Sequence, residues 1–296
     1  MGNLPRRRQL PSAAWLAALL AGRAVPDAPA PGWLLLEAGC DSLRQFERAH
    51  IPGARYVDTQ RFERAPLWNA VPDDELLGVI LSLGIRHDST VILYGRNNLA
   101  AGRIAHLLLY AGVADVRLLD GGFVAWQADG HPLAAGPSAA FVGAKDFGAP
   151  FPRHPGYLIG IGQARALLAR PDGVLASIRS EAEFLGLTSG YSYIAASGDI
   201  PGARWGRAGD DGDVNSMSAY HDAAGRMKPA VEIAAFWAAA GIVPERRIAF
   251  YCGTGWRASL AFFYAWLLGW GEISVFDGGW LEWSAGQQGL VQGAAR

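Results

Sequence analysis

Three blocks of this 296-residue chain occur twice, in the same order. HIPGARYVD at 50–58 returns as DIPGARWGR at 199–207. VILYGRNNLAAGRIAHLLLYAG at 91–112 returns as IAFYCGTGWRASLAFFYAWLLG at 248–269, and LLDGGFVAW at 118–126 as VFDGGWLEW at 275–283. From the first residue of the middle turn to the aspartate of DGG the separation is 25 in both copies, Gly95 to Asp120 and Cys252 to Asp277. A tandem duplication constrains the fold more than composition does, because whatever one copy builds the other must build too. The offset between copies grows from 140 (Glu37 against Ser177) to 149 at IPGAR and 157 at the turn. Two insertions therefore enter the second copy, near 190–197 and within 208–228. The Gly-, Pro- and Ala-rich stretch from His131 to Gly156 reads as the join. It separates a first domain at 1–135 from a second at 157–296, with the linker itself at 136–156.

Within each copy, apolar strand-like runs alternate with helical ones. The strand candidates are Trp33–Glu37, Val91–Tyr94 and Val116–Leu119, then Val174–Ser177, Ile248–Tyr251 and Ile273–Phe276. That alternation predicts an α/β protein of two like domains, each a mainly parallel sheet with helices on both faces. Ligands of such sheets bind at the carboxyl ends of the strands. Cys252 stands at one.

Composition narrows the partners. A net charge of -1 gives no counterion-release drive toward nucleic acid, and no apolar stretch is long enough to span a membrane. Two cysteines, Cys40 and Cys252, are too few for a disulfide framework and suit a reducing compartment. Arg6, Arg7 and Arg8 before the apolar 13–21 segment resemble the start of a signal peptide, with Ala28-Pro29-Ala30 as a cleavage site. The competing reading is a helix capped by Ser12, with Trp15, Leu16, Leu19 and Leu20 apolar and Gly22 as terminator. The second copy has a matching helix before its first strand, so the helix reading is preferred, and with it a cytoplasmic protein.

The turn CGTGWR carries the chemistry. Gly253 and Gly255 let several backbone N–H groups point at one anion, the helix that follows adds its positive end, and Arg257 adds a full charge. All three favour a thiolate at Cys252.

The paired IPGA segments, the strand–Cys-loop–helix and the DGGxxxW block resemble the rhodanese (thiosulfate sulfurtransferase) family in its tandem form, and CGTGWR is similar to the loop of a bacterial branch. The resemblance implies sulfane-sulfur transfer through a persulfide on Cys252, with no separate cofactor and no metal. It also implies substrate-binding roles for Gly253, Thr254, Gly255, Trp256, Arg257 and Arg179. The expected partners are a small-molecule sulfur donor and acceptor, with a sulfur-relay protein as a further candidate, and the expected state is a monomer. In the first copy Gly95 replaces Cys252, Ala100 replaces Arg257 and Gly39 replaces Arg179, so that copy is expected to be catalytically inactive and to cover one side of the cleft. Cys40, aligned with Ser180, is expected to be structural.

Two roles are open for Arg179: reaching the donor anion, or pairing with Glu183 four residues on. Trp256 is read as a pocket wall and Asp277 as part of a strand-end turn. Asp211, Asp213 and Asn215 imitate a calcium loop, but Ser216 and Asp222 stand where that loop needs glycine and glutamate. The histidines give no metal-ligand spacing. Mercaptopyruvate-type transfer and a persulfide carrier that docks with a desulfurase are the alternative functions. In mercaptopyruvate enzymes the first domain supplies an aspartate and a histidine, whose places fall near Gln60 and Asn69, so thiosulfate-type transfer is preferred. A cysteine phosphatase is the more distant rival: its loop runs Cys-x5-Arg, whereas Arg257 lies five positions after Cys252.

Overall fold

The computed structural model describes residues 4–293 of the chain. Its first half runs α1 (Ala13–Leu20), β1 (Leu34–Gly39), α2 (Leu43–Arg48), β2 (Arg55–Asp58), β3 (Glu63–Arg64), β4 (Asn69–Ala70), α3 (Asp73–Ser82), β5 (Thr90–Tyr94), α4 (Leu99–Ala111), β6 (Asp115–Leu118) and α5 (Gly122–Ala128). The second half runs β7 (Leu158–Ile159), α6 (Ile161–Leu168), β8 (Gly173–Ser177), α7 (Glu181–Phe184), β9 (Arg204–Trp205), α8 (Ala230–Ala239), β10 (Arg247–Tyr251), α9 (Trp256–Leu267), β11 (Ile273–Phe276) and α10 (Gly279–Gly293).

Each half forms a parallel sheet, in the order β2-β1-β5-β6 and β7-β11-β10-β8-β9. The central strands bury both faces, which is why they read as unbroken apolar runs. Leu35 and Ile92 face a layer with α1, α2 and α5, while Leu36, Val91 and Leu93 face the opposite core. The second sheet divides likewise: Leu175, Ala249 and Tyr251 pack with Ala164 of α6 and Trp280 of α10, and Val174, Ile248 and Phe250 turn inward.

The inward faces of both sheets share one continuous core, and α4 and α9 lie inside it side by side. Every residue of α4 is buried, as is every residue of α9 after Trp256. A helix apolar all round needs burial on all sides, and each of these two supplies part of the other's cover. The copies are aligned so that Gly102 of α4 meets Leu260 of α9; a Cβ on Gly102 would come within 3.0 Å of the Leu260 side chain. Beside that contact, Ser259 hydrogen-bonds His106 Nδ1 at 3.3 Å, and His106 Nε2 donates to the Tyr157 carbonyl at 2.8 Å.

The six strands anticipated from the sequence all form, with ends shifted by two residues at most. The IPGAR segments lead into β2 and β9, the edge strands of their sheets, which the apolar pattern did not reveal. Ser12 caps α1, its Oγ accepting from the Trp15 N–H at 3.2 Å, and Gly22 takes the left-handed conformation past the helix end. Ala13 and Leu16 are buried against the first sheet, so this helix is part of the packed fold. No helix among the described residues is long and apolar enough to cross a membrane.

Candidate active site

Strand β10 delivers Cys252 to the carboxyl edge of the second sheet, and α9 starts four residues later. Gly255 makes that abrupt change possible: its φ of 113° is one that side chains rarely adopt. Its N–H then donates to Cys252 Sγ at 3.1 Å. The DGG turn at the head of α10 holds the loop from behind. Trp280 N–H donates to the Cys252 carbonyl at 2.8 Å and Leu281 N–H to the Gly253 carbonyl at 3.1 Å. Gly279 is required there, since a Cβ would stand 2.4 Å from the Cys252 oxygen. With those carbonyls tied back, the loop turns the Gly255 N–H toward the sulfur.

Cys252 is only 1% exposed and lies in a cavity of about 220 Å³. Thr254, Trp256 and Arg257 line the same cavity; Gly253 and Gly255 contribute the loop backbone. Tyr191 and Tyr193 from the first insertion and Val214 and Asn215 from the second form one wall. Cys40, Glu63, Trp68 and Leu99 of the first half form the other. Gly253 lets Tyr191 approach, because a Cβ there would fall 2.3 Å from the phenol ring. A larger hollow of about 370 Å³ lies at the opposite end of β10 and β11, near Ile248 and Ile273, and has no cysteine in its walls.

The two arginines differ from expectation. Arg257 is buried and forms a two-pronged pair with Glu183, at 2.8 and 2.9 Å, while Nη2 donates to Tyr191 Oη at 2.7 Å. Burial pushes the Glu183 carboxyl up, but the bonds and charge of Arg257 and the Ser180 N–H outweigh it and hold the group below the usual carboxylate range. The charge of Arg257 is thus matched within the protein. Arg179 is fully buried and is not among the cavity walls. It faces Asp199 at 3.3 Å and Glu183 at 3.5 Å, and donates to the carbonyls of Gly198 and Ser189. Of the two roles open to Arg179, the pairing with Glu183 is the one these contacts display, and they also tie it to the first insertion. The pairing with Glu183 does occur, but ahead of α7, whose cap is Ser180, rather than along a helix face.

Two residues that sequence reasoning passed over, Glu63 and Arg103, complete the site. Trp256 Nε1 donates to Glu63 Oε1 at 2.6 Å, Arg103 Nε donates to Glu63 Oε2 at 3.1 Å, and Arg103 Nη2 pairs with Asp277 at 2.6 Å. A chain of polar contacts thus leaves the cysteine loop, passes through the first half and returns to the DGG turn. Burial, despite Arg103 and Trp256, pushes the Glu63 carboxyl up to about 7, with the Asp277 charge adding to the rise. Asp277 is a strand-end residue, as expected, and also accepts from the Ala70 N–H of the first half at 2.7 Å. Cys40 is exposed and opens onto the Cys252 cavity, so its structural assignment is corrected. Signals for these roles were faint: a tyrosine pair inside an insertion, and a buried arginine in an otherwise apolar helix.

The first half repeats the frame without the thiol. Asn98, aligned with Gly255, sends its Oδ1 to the Gly95 N–H at 2.9 Å and its amide to the Leu119 carbonyl at 2.8 Å. The asparagine side chain fills the cradle that the other loop leaves for sulfur.

A rhodanese-like domain family model matches residues 13–129 and again 161–286. The chain belongs to the rhodanese family. It is 48% identical to the thiosulfate sulfurtransferase YnjE of Escherichia coli (strain K12) over 283 residues, 96% of this chain and 65% of that protein. This rhodanese therefore spans just under two thirds of that relative's length. The crystal structure of YnjE superposes with a TM-score of 0.92, covering 96% of this chain and 68% of the other. The sulfur carrier protein TtuD of Thermus thermophilus is 30% identical, over 82% of this chain and 85% of its own. An anaerobic ergothioneine biosynthesis enzyme from Chlorobium limicola, solved with its natural substrate trimethyl histidine, is 36% identical with a TM-score of 0.89, covering 96% of this chain and 70% of that one.

Proposed function

We propose that this rhodanese is a sulfurtransferase working through a persulfide on Cys252, with thiosulfate or a similar sulfane donor. The Cys252 thiolate attacks the outer sulfur of thiosulfate; a new S–S bond forms as the old one breaks, and its electron pair leaves on sulfite. Cyanide or a thiol then takes the outer sulfur and returns the thiolate. The observation that carries this reading is the Gly255 N–H on a buried cysteine sulfur at the N-terminus of a twelve-residue helix. Because Glu183 matches the charge of Arg257, attraction of the anionic donor rests chiefly on the loop N–H groups and the helix end.

The first half, assigned to 1–135 with a linker at 136–156, is read as catalytically inactive, serving as a wall of the cleft formed with the domain at 157–296. A monomer in the cytoplasm, exchanging sulfur with small molecules and with a relay protein, fits two free cysteines. The test is thiocyanate formation from thiosulfate and cyanide by the purified protein, which Cys252→Ala should abolish without unfolding it. Undiminished activity in that variant, or Cys252-dependent hydrolysis of an aryl phosphate, would overturn the reading.

A second reading concerns the acceptor. Trp68, Tyr191, Tyr193 and Trp256 around the cavity suit a molecule with a quaternary ammonium group, and the similar Chlorobium limicola enzyme was solved with trimethyl histidine. Sulfur transfer to trimethyl histidine in preference to cyanide would establish it.

A further inference from the structure

Cys252 has a difficulty that its own surroundings create. At 1% exposure it lies among the walls of a cavity of about 220 Å³, so a thiol carried on a folded protein can meet it only through that cavity. The second cysteine of the chain stands where that difficulty would be met. Cys40 is exposed, belongs to the other half of the molecule, and lines the same cavity.

Its position is set by the fold. Strand β1 ends at Gly39, so Cys40 occupies the carboxyl edge of the first sheet. A Cβ at Gly39 would stand 1.9 Å from Ser42 Oγ, so any larger residue there would displace that hydroxyl. The next two residues are tied down: Asp41 N–H donates to Asp58 at 2.9 Å and Ser42 N–H to Tyr56 Oη at 3.1 Å. The Gln60 amide donates to Cys40 Sγ at 3.6 Å, which fixes the direction of the thiol. In the other copy the aligned positions hold the buried Arg179 and Ser180, so the exposed thiol is particular to this half. The cavity itself also points to an anion. Arg257, 1% exposed, lines it, and among the described residues its Nε–H has no partner.

Building on the persulfide reading above, we propose that Cys40 is a second sulfur carrier at the mouth of the cleft, receiving the outer sulfur from Cys252 and presenting it to a protein-borne thiol. The Cys40 thiolate attacks the terminal sulfur of the Cys252 hydropersulfide. An S–S bond forms at Cys40, the S–S bond at Cys252 breaks, and its electron pair restores the Cys252 thiolate. The proton stays on the transferred sulfur. No oxidant or reductant enters. The acceptor protein's thiolate then takes the sulfur from Cys40 by the same exchange.

The experiment maps sulfur on the intact protein. After incubation with thiosulfate and no acceptor, the chain is alkylated, digested and weighed peptide by peptide. One extra sulfur is expected on Cys252 and, in part of the population, on Cys40. With Cys252→Ser the Cys40 peptide should carry none. With Cys40→Ser the sulfur should remain on Cys252, and its transfer to a folded carrier protein bearing a single surface cysteine should slow by about tenfold or more. Sulfur confined to Cys252 in the unaltered protein would overturn the relay and leave the persulfide reading standing. Sulfur on Cys40 without Cys252 would show independent charging and overturn it as well. Sulfur on neither residue would remove the persulfide reading and the relay with it.

Discussion

Arg257 shows how burial changes what a charge can do. In sequence it is a cation beside a thiol; in the fold it is half of a buried pair with Glu183. Arg257→Ala would leave Glu183 with the Ser180 N–H and, as its one cation, the more distant Arg179, and breaking a buried pair on one side costs about 3–5 kcal/mol. Urea unfolding should show that loss. A midpoint unchanged from the parent would mean that the pair adds nothing to stability. Glu63 gives a prediction in pH. Its carboxyl is pushed up to about 7 in the fold, whereas glutamates of an unfolded chain ionise near ~4.3. The folded state thus binds the proton more tightly, and the contribution to stability is largest below ~4.3 and declines as pH rises to about 7. Each unit of separation corresponds to about 1.4 kcal/mol. Replacing Glu63 by Gln should remove that part of the slope, whatever it does to absolute stability, and thermal melts across pH 4 to 8 would reveal it. An identical slope would place the titration elsewhere.

The two strand-to-helix loops are the same element with different contents. The loop of the first half is filled by Asn98, whose bonds to Gly95 and Leu119 occupy the space below the turn. A thiol introduced by Gly95→Cys, in a chain lacking Cys252, should therefore transfer no sulfur; thiocyanate formation above background would show that the frame alone confers reactivity. Much of this element was legible in the sequence. Strands buried on both faces announce themselves as apolar runs, and the glycines at 253 and 255 announced a tight turn beside a thiol. Strands β7 and β9 have two residues each, β2 has four and lies at an edge, and the β3–β4 hairpin is equally short; no periodicity survives over such lengths. Glu63 was missed for that reason, and Cys40 was misread because alignment with a buried serine says nothing of exposure. Arg179 was left between substrate and Glu183, because partners other than Glu183 come from residues 189–199, which only folding brings around it. The insertions were visible as offsets. That they wall the cavity required the structure.

At the scale of the whole molecule the halves are locked reciprocally. Asp120, of the first DGG, accepts from the Met227 N–H at 2.8 Å, while Asp277, of the second, accepts from the Ala70 N–H at 2.7 Å. Each half thus anchors a turn of the other. Between them α4 and α9 pack inside one core, so the wall that carries Glu63 and Cys40 and the loop that carries Cys252 are aligned by helix packing. Disturbing that packing should affect the site from a distance. Gly102 is a point of close approach, with the Leu260 side chain and backbone 3.0 to 3.2 Å from where a Cβ would stand. Because backbone atoms are involved, rotamer changes alone cannot relieve the clash, and overpacking of this kind costs about 1–3 kcal/mol. Gly102→Leu should lower stability by that amount and the unfolding midpoint with it. It should also weaken the Trp256–Glu63 bond across the interface, readable as a changed tryptophan emission, and slow thiosulfate turnover although no residue of the cysteine loop is altered. Full turnover with a lowered midpoint would show that the loop keeps its geometry independently of the first half, and would reduce that half from a partner in the site to a cover over it.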